Sequence, residues 1–418
     1  MEKILLTLCI LSSLAAEAGG FRVALQGAKQ LAMAHTSAHA EDASVAFFNP
    51  AGISFIPEKL SIVAGGFAVN SSIAYQNPST RESYKTNSPL GTPFYTAITY
   101  KATEDLSLGF SVTTPYGSTV QWPENWAGKE LVQKMQLKSF YFQPVISVKL
   151  ASWMSVGVSY IYARGSVSWD RSVTLLNGNL NIKESSAKGS GFGLGFYFVP
   201  NEKLNVSVTY RSPVDMEANK GTATFTVSPS LFPVLGLSAS GRDAFRATLP
   251  LAEEYTIGFA YKVSSKLKIA ADFNYTGWER YSKLDLYFKN APIGNQTDPR
   301  ILSVPKNFRN TKTFRVGGEY RFSPLISGRL GWYWDESPYN DDNFTPETPS
   351  FNTHVITAGM GLNFRLFGID LATAQAFPNG RSFYNKNNGF SGKAKANAFY
   401  FGLGIRYNLK RKNEKITD

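Results

Sequence analysis

The chain has 418 residues, enough for two or three soluble domains or for one large β architecture. Charged residues make up only 18%, below the rough quarter found in soluble domains, and aromatics reach 14%, a composition that argues against a cytosolic enzyme. The formal net charge is +12, but Lys and Arg lie singly between apolar neighbours rather than in a basic stripe, which speaks against a nucleic-acid partner and fits an anionic membrane surface.

The first element reads as a leader. Glu2-Lys3 precedes the apolar run Ile4 to Ala16, and Ala16-Glu17-Ala18 offers small residues spaced for cleavage before Gly19. This predicts a Sec signal peptide over residues 1–18. The run is short of the ~20 residues that a spanning helix needs. The single cysteine, Cys9, lies inside it, so the exported chain is expected to hold no thiol or disulfide. No later apolar run reaches spanning length, so a membrane protein built on this chain has to be a β-barrel.

Residues 19–58 do not alternate and are rich in small side chains. Within them, "DASVAFFNPAGI" places Phe47 and Phe48 before Asn49-Pro50-Ala51. Asn49 can accept from the amides of a following helical turn, and Pro50 at the first helical position loses no needed donor. A compact plug is predicted, because a barrel of about fourteen strands has a lumen too wide for its own side chains to fill. His35 and His39 at i,i+4 lack the Glu of a His-Glu-x-x-His zinc site and are expected to pack or to be solvated; no metal and no cofactor are expected.

From Leu60 the chain alternates with period two. Ile146, Val148 and Leu150 oppose Ser147 and Lys149; Phe399, Phe401, Leu403, Ile405 and Tyr407 oppose Tyr400, Gly402, Gly404, Arg406 and Asn408. About fourteen such segments begin near Leu60, Gly91, Leu106, Ser139, Met154, Ala187, Leu204, Leu249, Leu267, Lys306, Leu325, Asn352, Gly368 and Ala394, many longer than the ~5–6 residues of globular strands. Short connections such as "KATED", "VPNEK" and "KVSSK" alternate with long ones near 77–89, 115–137, 175–186, 219–243, 289–305, 335–351 and 377–393. Aromatics gather toward segment ends, as interfacial girdles require. The expectation is an all-β fold: a fourteen-stranded antiparallel transmembrane barrel over residues 59–409, with an N-terminal plug of short helical segments and a charged tail over 410–418.

Loop residues Tyr116, Trp122, Trp126, Leu131, Val132 and Met135 offer an external apolar capture surface, or else pack against neighbouring loops. By parity Phe314, Val316, Tyr320 and Phe322 face lipid, which turns Arg309, Arg315 and Glu319 inward; Arg171 shares the inward face of Ile161, Ala163 and Trp169. Inward arginines can meet a carboxylate head group or pair with acids such as Glu319.

Five ordered blocks, "FFNPAGI", "TTPYG" with "NWAG", "TYRSPVDMEANKGTATF", "TGWERY" and "GRLGWYWDESPYNDDNFTPETPSFNTHVITAGMG", resemble the long-chain fatty acid transporter (FadL/TodX-like) family of outer-membrane proteins, which includes aromatic-hydrocarbon channels. The resemblance covers nearly the whole exported chain. It implies a fourteen-stranded barrel plugged by an N-terminal hatch carrying Asn-Pro-Ala, with hydrophobic substrate captured outside and released through a lateral opening. It also implies basic ligand contacts in the regions of Arg171, Arg309 and Arg315, although Trp169 stands where one of them would align. The charged "KRKNEKITD" departs from the family's aromatic terminus.

The functional expectation is passive, outer-membrane uptake of hydrophobic molecules, long-chain fatty acids first and aromatic hydrocarbons as the alternative, by a monomer surrounded by outer-membrane lipid and lipopolysaccharide. A structural or adhesin barrel is the other reading. No Gly-x-Ser-x-Gly, Walker loop or cysteine nucleophile supports an enzyme, and His354 is the remaining histidine to test.

Overall fold

The structure is a computed structural model and describes residues 20–294 and 297–409. The expected signal peptide and charged tail lie outside the described residues. The fold is all-β, a closed antiparallel barrel of 14 staves with short helices at its N-terminal side. Closure is made by the first and last staves: Leu60–Gln76 pairs with Ser391–Leu409 in unbroken register from Leu60↔Leu409 to Gln76↔Lys393.

Sequence explains the hairpins at one end of the barrel. Four of the short turns carry a side-chain oxygen that satisfies amides of the returning strand. Thr103 Oγ1 accepts from Leu106 N at 2.9 Å, Asn201 Oδ1 from Leu204 N at 3.0 Å, Ser264 Oγ from Leu267 N at 3.1 Å and Ser323 Oγ from Ile326 N at 3.1 Å. Such local bonds end one strand and start the next within a few residues. Strands at this end start where alternation predicts at Leu106, Met154, Leu204 and Leu267, and one residue later than expected at Ile326.

At the other end the strands run further than expected. They span Lys134–Ala151, Met154–Val173 and Gly178–Asn201, and the expected loop 175–186 is mostly strand. A change of polarity accounts for the difference. Through the middle of the barrel the outward face is apolar, with Val158, Tyr160, Phe196, Phe314, Val316 and Ile405 exposed, and the inward face is polar. Toward the long-loop end the outward face is polar, as at Asn179 and Lys183, while inward Val167, Trp169, Leu180, Ile182 and Met216 are covered. Outside water and an apolar interior reverse the rule that lipid imposes lower down.

Residues 20–58 run inside the barrel. The short helices Ala28–Ala32 and Val45–Phe48 and the 3-10 turn Pro50–Phe55 bury almost every side chain against the wall. Wall glycines admit this backbone: a Cβ on Gly157 would stand 2.4 Å from Ala51 N, and one on Gly317 would stand 2.3 Å from Met33 O. Both distances are well inside van der Waals contact, so any larger residue there would unseat the plug.

Candidate functional site

Asn49 leaves the helix Val45–Phe48 in an extended conformation (φ −148°, ψ 110°), and its Oδ1 accepts from Ala51 N at 2.9 Å, as a capping residue should. Its Nδ2 donates to Phe196 O at 2.9 Å and to Ser207 Oγ at 2.8 Å. Ser147 and Ser155 hydroxyls donate to Ala51 O at 3.1 and 2.8 Å. The motif therefore caps its own turn and bonds it to four staves. Arg211 lies 4.1 Å over the Phe47 ring and donates to Phe47 O at 2.7 Å, and Phe48 stacks edge-on against Phe47 at 5.4 Å. This cluster seats the plug, and Phe47, Phe48, Pro50 and Arg211 also line a small cavity with Arg22, His35 and Arg315.

The two histidines are buried. His35 sits in a left-handed turn with Ala34 (φ 58° and 56°) between Phe48 and Tyr333. Burial and the neighbouring Lys268 cation lower the pKa of His39 to about 4. Among the described residues no group of three or more His, Cys, Asp and Glu is placed to hold a metal ion. His354 faces outward and stacks on Trp332 at 5.8 Å, so it lines no inner site.

An apolar chamber of about 90 Å³ lies in the long-loop half of the lumen, lined by residues that include Phe21, Tyr116, Met135, Trp169, Ile182, Met216 and Phe245. Three charged residues line it, Lys138, Lys306 and Glu347; Lys306 is fully buried, pairs with Glu347 and donates to Thr345 Oγ1 at 2.8 Å. Burial alone would lower the pKa of this ammonium, but the Glu347 carboxylate with Tyr339 more than offsets it and the net shift is upward, so Lys306 stays charged.

The expected capture surface is not exposed. Tyr116 and Met135 line the chamber, Leu131 is half-buried, and Trp122 stacks on Trp126 at 4.0 Å. The indole of Trp126 donates to Val132 O at 2.7 Å and packs against Tyr75 and Phe390; the indole of Trp122 donates to Pro346 O at 3.3 Å. These residues form a lid, because their donors and rings find partners within the loop, at Val132, and on neighbouring segments, at Pro346, Tyr75 and Phe390. Exposed apolar tips lie elsewhere: Leu175 is 95% and Val234 is 76% accessible.

The three candidate arginines do not converge. Arg171 lies 5.8 Å over Trp169, a chamber residue, and its buried Nε has no hydrogen-bond partner. Arg309, expected to face inward, is exposed instead and reaches Ser337 O and Glu336, because it lies in the irregular stretch before the strand Thr311–Arg321 where parity does not hold. Arg315 is buried deeper, where it donates to His35 O at 3.2 Å and holds the plug. Lys306 was missed because only the loop that brings Glu347 over it reveals its burial.

A second cavity, of about 410 Å³, opens beside a break in the wall. The pairing between staves two and three stops at Tyr95↔Thr113, and after Thr114-Pro115 the chain resumes as Gly117–Gln121, which pairs with Lys134–Ala151 instead. Proline cannot continue the ladder, so the break is written into the sequence. Here the plug supplies the missing edge: Val23 N donates to Pro115 O at 2.8 Å and Gly117 N to Phe21 O at 3.0 Å, with Arg22 opposite Tyr116. Phe21 and Tyr116 line the chamber, while Arg22 and Tyr116 line the second cavity. Arg22 is fixed by Asn274 Oδ1 at 2.7 Å, Asp335 at 3.3 Å and Glu254 at 3.5 Å. Exposed Leu90 and Phe94 lie on the outer side of the break.

The sequence matches the outer membrane protein transport protein family (OMPP1/FadL/TodX) over residues 9–409. It is 22% identical to a 47 kDa outer membrane protein of Pasteurella multocida, with 94% of each chain covered. The fold superposes on a Pseudomonas aeruginosa FadL homologue with TM-score 0.81 at 17% identity, covering 93% of this chain and 100% of that one. It superposes on the toluene transporter TodX of P. putida with TM-score 0.72 at 15% identity, covering 96% and 100%. The plugged barrel with its apolar chamber is that of an outer-membrane protein, and the chain belongs to the FadL/TodX family of transporters for hydrophobic substrates.

Proposed function

We propose that the protein admits long-chain fatty acids by diffusion. They are captured at the exposed tips around Leu175 and Val234, held in the apolar chamber and released sideways through the wall beside Leu90 and Phe94. The observation that carries this reading is the partition between the two cavities: they share Tyr116, Leu137, Lys138 and Ser139 in their linings, and the ladder of Phe21–Val23 on Pro115–Gly117 lies where they meet. Burial of each methylene is worth ~0.8 kcal/mol, so a graded series of apolar sites suffices for downhill transfer without an energy source. Lys306, a buried ammonium in the chamber lining, and Arg171, a guanidinium with a free donor over the chamber residue Trp169, are cations available to a carboxylate entering the chamber.

Aromatic hydrocarbons are the second reading, favoured by one observation: Glu347 already neutralises Lys306, leaving a ring-lined chamber suited to an uncharged ligand. The two readings separate on matched ligands. If a carboxylate binds, Lys306→Met with Arg171→Gln weakens oleate by about ten- to a hundredfold and leaves oleyl alcohol unchanged, since a charge-assisted bond contributes ~1.5–3 kcal/mol. Equal losses for acid and alcohol, together with tight toluene binding, would establish the hydrocarbon reading.

A further inference from the structure

On the outer surface, three cations share one small area. Strands Lys134–Ala151, Met154–Val173 and Gly178–Asn201 lie side by side. Their outward apolar band ends with Phe142 opposite Tyr162 and Tyr160 opposite Phe192. The next outward position toward the long loops sets Phe140 opposite Arg164 and Arg164 opposite Lys188, and Lys138 follows two residues beyond Phe140. All three cationic side chains are exposed. Directly opposed residues of an antiparallel pair hold their Cβ atoms ~4.5–5.5 Å apart, where like charges repel.

No ion pair relieves that repulsion among the described residues. Arg164 donates to the Tyr162 hydroxyl at 3.2 Å, a neutral partner. The one acid in register is Glu217, opposite Lys188 on the next stave, and it accepts from the Asn219 amide at 3.1 Å. A like-charged pair at the edge of the apolar band, with a carboxylate beside Lys188 but none opposite Arg164, is open to an anion from outside the chain. The edge in question lies on the extracellular side, because the long loops lie beyond it.

We propose that Lys138, Arg164 and Lys188 bind the phosphate groups of a phosphorylated outer-leaflet glycolipid. The three cations are spread over three strands, about 10 Å at the usual strand spacing. That spread suits a head group with more than one phosphate better than a phospholipid with one. A guanidinium fork grips a phosphate through two parallel bonds, and the flanking lysines add point charges. The acyl chains of such a lipid lie against Phe140, Tyr162 and Phe192 just beneath.

The test is native mass spectrometry of the detergent-solubilised full chain with three lipids: bisphosphorylated lipid A, dephosphorylated lipid A and phosphatidylglycerol. The wild type should retain lipid A in preference to both others. The triple variant Lys138→Gln, Arg164→Gln, Lys188→Gln should bind lipid A at least about tenfold more weakly while binding dephosphorylated lipid A as the wild type does. Heat-modifiable gel mobility reports whether that variant has assembled. Equal lipid A binding by variant and wild type overturns the site, and a wild-type preference for phosphatidylglycerol overturns the glycolipid. If the variant does not assemble, the wild type decides alone: equal affinity for lipid A with and without its phosphates refutes the proposal.

Discussion

Around Asn49–Ala51 the plug meets the wall through bonds distributed over Ser147, Ser155, Phe196 and Ser207, with wall glycines cleared for its backbone. Around Phe21–Val23 it meets the wall through two backbone bonds, the Arg22 guanidinium and the Phe21 ring, which packs on Tyr116, Trp278 and Tyr281, between two cavities. Distributed contacts resist the loss of any single one. Concentrated contacts can be broken together when one residue moves, so the first region suits an anchor and the second a moving partition.

The largest effect should come from locking the partition. Arg22 and Tyr116 are directly opposed across the plug–wall bridge, so Arg22→Cys with Tyr116→Cys places two thiols within disulfide reach. Oleate uptake should be abolished when the pair is oxidised and should return on reduction. Uptake that ignores the redox state would mean that substrate does not pass this point.

Next in size is a change at the anchor. Gly157→Val should prevent the plug from seating, because even a Cβ there stands 2.4 Å from Ala51 N. Overpacking of this kind costs ~1–3 kcal/mol or more. Steady conductance in planar bilayers should rise, while Gly66→Ala, whose Cβ meets nothing nearer than 3.6 Å, should behave as wild type. A silent Gly157→Val barrel would show that the seat is looser than its contacts imply.

Asn49→Ala removes one cap bond and two bonds to the wall but leaves the backbone path free. A loss of ~0.5–2 kcal/mol is expected for the cap. Uptake should fall severalfold with barrel assembly intact, as read by heat-modifiable mobility. An unchanged uptake rate would remove the motif from the transport step.

The smallest effect is one of pH. Buried His39 has its pKa lowered from 6.5 to about 4, with Lys268, Lys29, Glu41 and Asp42 around it. Between those values the unfolded segment takes up a proton that the folded one excludes. Its contribution to plug stability is therefore complete above pH 6.5 and declines as pH falls toward 4. Amide exchange over residues 33–40 should accelerate accordingly, and His39→Phe should flatten the profile.

Much of the wall was legible because lipid imposes strict alternation. Phe314, Val316, Tyr320 and Phe322 are exposed, and Arg315 and Glu319 are buried inward, as parity predicts, while Arg309, which precedes the strand, is exposed against it. The same parity could not place the chamber. In Met154–Val173 one inward face carries Ala163 in the middle of the barrel and Trp169 higher up, and only the height of the strand above the lipid gives that face its second role. The lid residues Trp122 and Trp126 looked exposed for a similar reason: the loops that cover them, at Pro346 and Phe390, are more than two hundred residues away.

Local chemistry thus determined what local chemistry can: the hairpin turns, the strand starts, the cap at Asn49 and the break at Pro115, each fixed by interactions within a few residues. Tertiary structure decided what depends on distant segments meeting. Lys306 becomes a buried chamber cation only when Glu347 folds over it, and Arg22 becomes a partition only when Asn274, Asp335 and Glu254 arrive from three other staves. Closing the barrel brings these groups together, and no periodicity along the chain encodes a contact made across a lumen.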